Sequence, residues 1–157
     1  VFEAVAEAAA RGVIFDVGHG SGSFQWETVE ACIDQGLLPT TISTDLHTRN
    51  LHGPVYDMPT TMSKFLMLGV SLEDVVEMST ARPAKILKRE QELGTLRVGS
   101  VADIAVLERR EGRFVFEDSY AGTRTGDTLL VAAATVRRGE IVPGGGGLRM
   151  RRLERED

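Results

Sequence analysis

The sequence predicts an α/β fold that gives way to a β-rich segment. Three observations carry that reading. Helix and strand patterns alternate over residues 1–92. Within them, two short strands near 13–17 and 40–44 flank one amphipathic helix. From Leu93 onward, turn residues separate runs of strand formers, so residues 93–143 read as a small β domain and 144–157 as a flexible tail.

The elements follow in order. Phe2, Val5, Ala6 and Ala9 recur at helical spacing with Glu3 and Glu7 on another face, and Gly12 ends the helix. Val13-Ile14-Phe15-Asp16-Val17 is the apolar run expected of a strand in a parallel sheet covered on both faces. Asp16 within it reads as pointing away into the wall. Gly18-His19-Gly20-Ser21-Gly22-Ser23 follows, and its glycines allow a sharp turn and close approach to another group. It lacks the lysine and the spacing of a phosphate loop. Ser23 is placed to cap the next helix, whose inner stripe is Trp26, Val29 and Ile33 and whose end is Gly36. Leu37-Leu38-Pro39 leads into Thr40-Thr41-Ile42, and strand–helix–strand with short connections is by default a right-handed parallel crossover.

Both crossover strands end in polar groups: His19 after the first, and Asp45 with His47 after the second. Strand C-terminal ends are where α/β proteins gather reactive side chains. Asp45 is the first candidate for chemistry, with a turn or cap aspartate as the alternative, and His19 reads either as a pocket contact or as a turn histidine bonded to backbone. The long loop from Leu46 to Met58 carries Arg49, Asn50 and His52; Arg49 and His52 read as exposed loop residues before they read as contacts for a substrate carboxylate. Asp57 with Pro59 opens a helix whose buried face is Met62, Phe65, Leu66 and Leu68. Ser71 with Asp74 forms a capping box, and Thr80 to Ala84 starts another helix with Pro83 in its first turn. Beyond Leu93, strands are predicted at Leu96–Val98, Ala102–Leu107, Arg113–Phe116 and Thr128–Arg137, the last turned by Arg138-Gly139-Glu140 into Ile141 and Val142. Gly144–Gly147 and the charged residues after them complete the tail.

Composition narrows the function. A chain of 157 residues, 42% hydrophobic and 26% charged, has the make-up of one soluble domain. Its net charge of −5 offers no positive field for nucleic acid. No apolar run approaches the roughly 20 residues needed to span a bilayer. The single cysteine, Cys32, forms no internal disulfide, reads as packing rather than nucleophile, and fits a cytoplasmic setting, as does an N-terminus without secretory pattern. One cysteine and three histidines do not make a self-contained structural zinc site. A first residue of Val rather than Met is expected of a chain that begins inside a longer protein.

Phe15-Asp16-Val17-Gly18-His19-Gly20, then Ser23-Phe24, then Ile42-Ser43-Thr44-Asp45-Leu46-His47 resemble the amidohydrolase superfamily, in its metal-dependent amidohydrolase/deacetylase (dihydroorotase-like) branch. Thr80 to Ala84 is similar to that superfamily's helix after the last barrel strand. Leu93 to Leu96, with Gly99 and Ala102-Asp103-Ile104, is similar to the return into its β-sandwich. The resemblance implies the C-terminal part of a (β/α)8 TIM barrel, its last two strands and helices, followed by a β-sandwich segment. A whole barrel needs roughly 250 residues. It implies one or two divalent metals, most often zinc, with Asp45 as metal ligand and general base then acid. The His-x-His pair, the bridging residue and the later histidine ligands fall upstream. His19 and His47 are carried over as substrate contacts.

The expected activity is hydrolysis of amide or ester bonds in small acylated substrates, deacetylase-like, with this chain alone inactive. A cyclic amide hydrolase of dihydroorotase or hydantoinase type is the alternative. A non-catalytic piece acting only by association is another. Partners are expected to be a small acylated substrate and a second copy of the chain, with neither nucleic acid nor membrane.

Overall fold

Two three-residue strands, paired in parallel, form the centre of the first part. In the computed structural model, which describes residues 3–143, β1 (Asp16–Gly18) lies beside β2 (Thr41–Ser43). Asp16 stands opposite Thr41, Val17 opposite Ile42 and Gly18 opposite Ser43. The parallel pairing is the one the sequence predicts, but both strands are shorter and the first is shifted toward its C-terminal end. Pairing starts where the Thr40 and Thr41 N–H groups both reach the Phe15 carbonyl, at 2.8 and 3.2 Å. Val13 and Ile14 precede that point, lie outside the strand, and are 48% and 51% exposed.

Strand alternation sorts the side chains. Val17 and Ile42 join the core, while Asp16, Gly18, Thr41 and Ser43 share the other face. α1 (Glu3–Ala10) precedes the pair and buries no residue. Phe2, assigned to its stripe, lies outside the described residues, as do Gly144–Gly147 and the tail.

α2 (Trp26–Asp34) connects the strands, with Trp26 and Val29 buried. Ser23 does not cap it; its hydroxyl accepts the Gly20 N–H at 2.8 Å. The cap comes from Asp118, 92 residues away, whose Oδ2 accepts the Trp26 N–H at 3.1 Å. α3 (Met58–Met67) and α4 (Leu72–Ser79) start as the sequence predicts: Asp57 accepts the Thr60 N–H at 2.8 Å, and Ser71 accepts the Asp74 N–H at 3.1 Å. α5 (Ala81–Ile86) follows with Pro83 in its first turn.

The β-rich segment is simpler than its sequence suggests. No strand forms between Gly94 and Gly99, where Leu96 and Val98 are 79% and 101% exposed and pair with no strand among the described residues. The two strands expected at 102–107 and 113–116 are one, β3 (Ile104–Glu117), with register shifts at Val106/Leu107 and Glu111/Phe114. β4 starts five residues before the predicted Thr128 and spans Thr123–Arg137, because Thr123 to Gly126 pair with Glu117 to Phe114. β5 (Glu140–Ile141) completes the antiparallel order β3-β4-β5.

One core joins the two parts. Phe24, Trp26, Ile42, Met62 and Phe65 pack in the same cluster as Phe114, Phe116, Leu129 and Leu130 of the hairpin. Each such ring or Leu removed from water contributes about 1.5–3 kcal/mol. Polar contacts fix the docking: the Leu130 N–H donates to Ser63 Oγ at 2.8 Å, and Arg124 grips the Glu30 carboxylate through Nε and Nη2 at 2.7 and 2.9 Å. The hairpin's turn, 118–122, is thereby carried to the loop after β1.

Candidate functional site

The loops that leave β1 and β2 meet, and one buried side chain makes them do so. Asn50, 3% exposed, donates through Nδ2 to the carbonyls of His19 at 3.2 Å and Asp45 at 2.9 Å. Its Oδ1 accepts the His47 N–H at 2.7 Å. A single amide with both ends used ties the two strand ends together. Nothing in the sequence marked Asn50 beyond its place in a long loop.

Asp45 follows β2 by two residues and is exposed. Its φ of 45° is left-handed, a conformation that Asp tolerates better than most residues, and it turns the chain so that the carboxylate lies against the β1 loop. A side chain at Gly20 would collide with that carboxylate and would stand 3.1 Å from Ser23 Oγ, so only glycine fits there. No side-chain hydrogen bond among the described residues engages the Asp45 carboxylate, which leaves its oxygens open to outside groups.

Asp16 lies on this same face rather than in the wall. Its carboxylate accepts from Thr41 Oγ1 at 2.7 Å and Ser43 Oγ at 2.5 Å, across the strand pair. The strand period alone places Asp16, Gly18, Ser43 and Asp45 on one side, so that signal was present in the sequence.

His47 is half-buried; its Nδ1 accepts the Arg49 N–H at 3.1 Å and its Nε2 meets Ser21 Oγ at 2.9 Å. Arg49 and His52 are exposed on the loop. His19 behaves differently. It is fully buried, its ring stacks on Phe24 with centroids 4.4 Å apart, and Lys64 Nζ donates to its Nε2 at 2.5 Å. Lys64 is itself fully buried, and also donates to the carbonyls of Pro54 at 2.9 Å and Glu117 at 2.6 Å. Its ammonium stands 5.5 Å from the Phe24 ring centre and 5.8 Å from that of Trp26.

Burial, reinforced by the Lys64 charge, pushes the His19 imidazole down to about 3. Burial likewise brings the Lys64 ammonium down to about 7, against the attraction of Asp118 and Glu117. His19 is therefore neutral at neutral pH, accepting from Lys64, while its Nδ1 is buried with no partner among the described residues. The sequence hint for Lys64 was a lysine set between Met62 and Phe65 of an apolar helix face.

The donor set toward a metal is small. Among the described residues no group of three His, Cys, Asp or Glu side chains converges. An open carboxylate at a strand end would fit one position of a divalent cation's shell, with the other positions filled by groups beyond the described side chains. No helix of the described residues is long and apolar enough to cross a membrane.

These features define a class: a mixed α/β protein with an acid and polar donors gathered at the C-terminal ends of parallel strands. Residues 38–143 match the model of the amidohydrolase family, and the chain belongs to that family. A deacetylase from Agrobacterium fabrum is 42% identical over 108 residues, covering 69% of this chain and 26% of that protein. A deacetylase from Brucella anthropi is 40% identical, covering 69% and 27%. One from Enterococcus faecalis is 34% identical over 136 residues, covering 86% and 37%. The chain thus spans about a quarter to two-fifths of the length of these relatives. Among solved structures, an adenine deaminase superposes with a TM-score of 0.86 at 31% identity, covering 90% of this chain and 39% of that one. A dihydroorotase superposes with a TM-score of 0.81 at 34% identity, covering 94% and 39%.

Proposed function

We propose that this chain supplies the last two strands, with their helices, of a (β/α)8 hydrolase barrel and the β-sandwich segment after them. Within a metal-dependent amidohydrolase, it contributes Asp45 to the reacting centre. The reaction is cleavage of an amide or ester bond in a small acylated substrate, deacetylase-like. The observation that carries this is the Asp45 carboxylate, exposed at the end of a parallel strand, pressed against Gly20 and without a side-chain hydrogen bond among the described residues. The deacetylase names of three relatives support the substrate class.

A divalent cation, most often zinc in such proteins, supplies Lewis acidity toward water and the scissile carbonyl when bound. Asp45 would hold one position on that cation and, as the base, takes a proton from the attacking water and returns it to the leaving nitrogen or oxygen. His47 and Ser21 face the substrate from the rim. His19 reaches the substrate only through the loop it holds, since its ring has no exposed surface.

The likeness to a dihydroorotase favours a second reading, ring opening of a cyclic amide, which uses the same acid. A third is a non-catalytic chain, motivated by the lack of three converging ligands among the described residues. The test is turnover of N-acetylated amides, acyl esters and cyclic amides, before and after chelation, by the active protein and its Asp45→Ala variant. Loss of turnover by at least about a hundredfold with folding intact is expected. Retained turnover in Asp45→Ala removes the proposed role. Cyclic amides preferred over acetylated ones select the second reading.

A further inference from the structure

Ser21 Oγ and His47 Nε2 meet at 2.9 Å between the two strand-end loops. A serine beside an imidazole suggests a nucleophile and its base. The other ring nitrogen decides against it. The Arg49 N–H points at His47 Nδ1 at 3.1 Å, and a backbone amide only donates, so Nδ1 presents its lone pair. A neutral imidazole with a bare Nδ1 carries its hydrogen on Nε2. Nε2–H therefore donates to Ser21 Oγ and has no lone pair with which to take the serine's proton.

With its oxygen accepting from the ring, the Ser21 hydroxyl still has a hydrogen to donate. Ser21 is exposed and its hydroxyl makes no further hydrogen bond among the described residues, so that hydrogen is open to solvent or to a bound molecule. Its place beside Asp45 is fixed. Gly20, its neighbour, abuts the Asp45 carboxylate, donates its N–H to Ser23 Oγ at 2.8 Å and has its carbonyl held by Ser119 Oγ at 2.7 Å. Gly22, on the other side, has its carbonyl held by the Tyr120 hydroxyl at 3.0 Å. The hairpin turn thus pins the backbone on both sides of Ser21, a preorganised donor.

We infer that Ser21 determines specificity: its hydroxyl donates to an acceptor oxygen, carbonyl or carboxylate, of the substrate bound at Asp45, and His47 orients that donor. The inference rests on Asp45 marking the reacting centre. Two measurements test it. Ring-nitrogen NMR of the ¹⁵N-labelled chain should show His47 in the Nε2–H tautomer; an Nδ1–H tautomer overturns the assignment. In the active protein, Ser21→Ala should raise KM about tenfold, the worth of one hydrogen bond to a charged or strongly polar acceptor, with kcat changed less than about threefold. Ser21→Thr, which keeps the hydroxyl, should recover most of the KM. An unchanged KM in Ser21→Ala overturns the inference, and so does a kcat loss of about a hundredfold or more, the mark of a nucleophile. Turnover retained in Asp45→Ala, with the Ser21→Ala effect on KM present, would instead fault the reading of Asp45 alone.

Discussion

Asp45 and Asp118 are two aspartates at the two ends of one polar belt, and their surroundings are opposite. Asp118 is 3% exposed, and its two oxygens accept the N–H groups of Trp26 at 3.1 Å, Tyr120 at 2.8 Å and Gly122 at 2.7 Å. Burial works against its charge, but these backbone donors and the Lys64 ammonium hold its carboxyl below the usual range. Asp45 is exposed and takes no side-chain hydrogen bond from the described residues. An acid saturated by its own backbone is committed to the fold. One whose lone pairs are left open at a strand end is available to a cation, a proton or a substrate.

The sharpest way to break that contrast is to delete each acid in turn and measure stability by denaturant unfolding. Asp118→Ala leaves the buried Trp26 N–H and the part-buried Tyr120 and Gly122 N–H groups without their acceptor and uncaps α2, for an expected loss of about 4 kcal/mol. Asp45→Asn, which removes the charge but keeps a residue that tolerates the left-handed backbone at this position, should fall within about 0.5 kcal/mol of the parent, as exposed positions do. Equal losses would erase the distinction.

Lys64 extends the comparison from acids to the brace between them, since it bonds His19 of the β1 loop and Glu117 beside Asp118. Lys64→Met keeps the stem but strands three acceptors, for about 3 kcal/mol in the same unfolding assay. Asn50→Ala removes the clamp on the Asp45 side and should cost about 2 kcal/mol. It should also lower turnover in the active protein, where Asp118 variants act only through stability.

The smallest effect per increment is a slope. His19 has a folded pKa of about 3 against an ordinary 6.5. The unfolded chain therefore binds the extra proton first. The stability this group contributes is complete above about 6.5 and falls as pH drops toward 3, by up to about 1.4 kcal/mol per pH unit. The charged groups acting on it are Lys64 and Asp118, and the backbone of Glu117 bonds nearby. His19→Gln should flatten that part of the curve relative to the parent in unfolding measured between pH 4 and 7. Parallel curves would show that His19 is not the group that titrates.

Much of the fold was readable from neighbouring residues alone. Asp57 with Thr60 and Ser71 with Asp74 form caps three residues apart, so adjacent side chains are enough to specify them. The apolar runs and the alternation of elements placed two parallel strands, and the motifs along them pointed to the family that residues 38–143 match. The sequence could not say where pairing would stop, because strand length depends on the partner. β4 reaches back to Thr123 because the far half of β3 is there to bond it, whereas the apolar Leu96 and Val98 lie exposed and pair with no strand among the described residues.

The polar belt depended most on long-range placement. Ser23 has the chemistry of a cap but faces Gly20, while the cap of α2 arrives from Asp118, 92 residues away. His19 sits in a glycine loop that reads as open, yet packing against Phe24 and Lys64 draws it fully inside. Residue type and spacing govern hydrogen bonds closed within one turn of chain. Whether an acid or an imidazole ends up sealed or open depends on which distant segments the core brings against it.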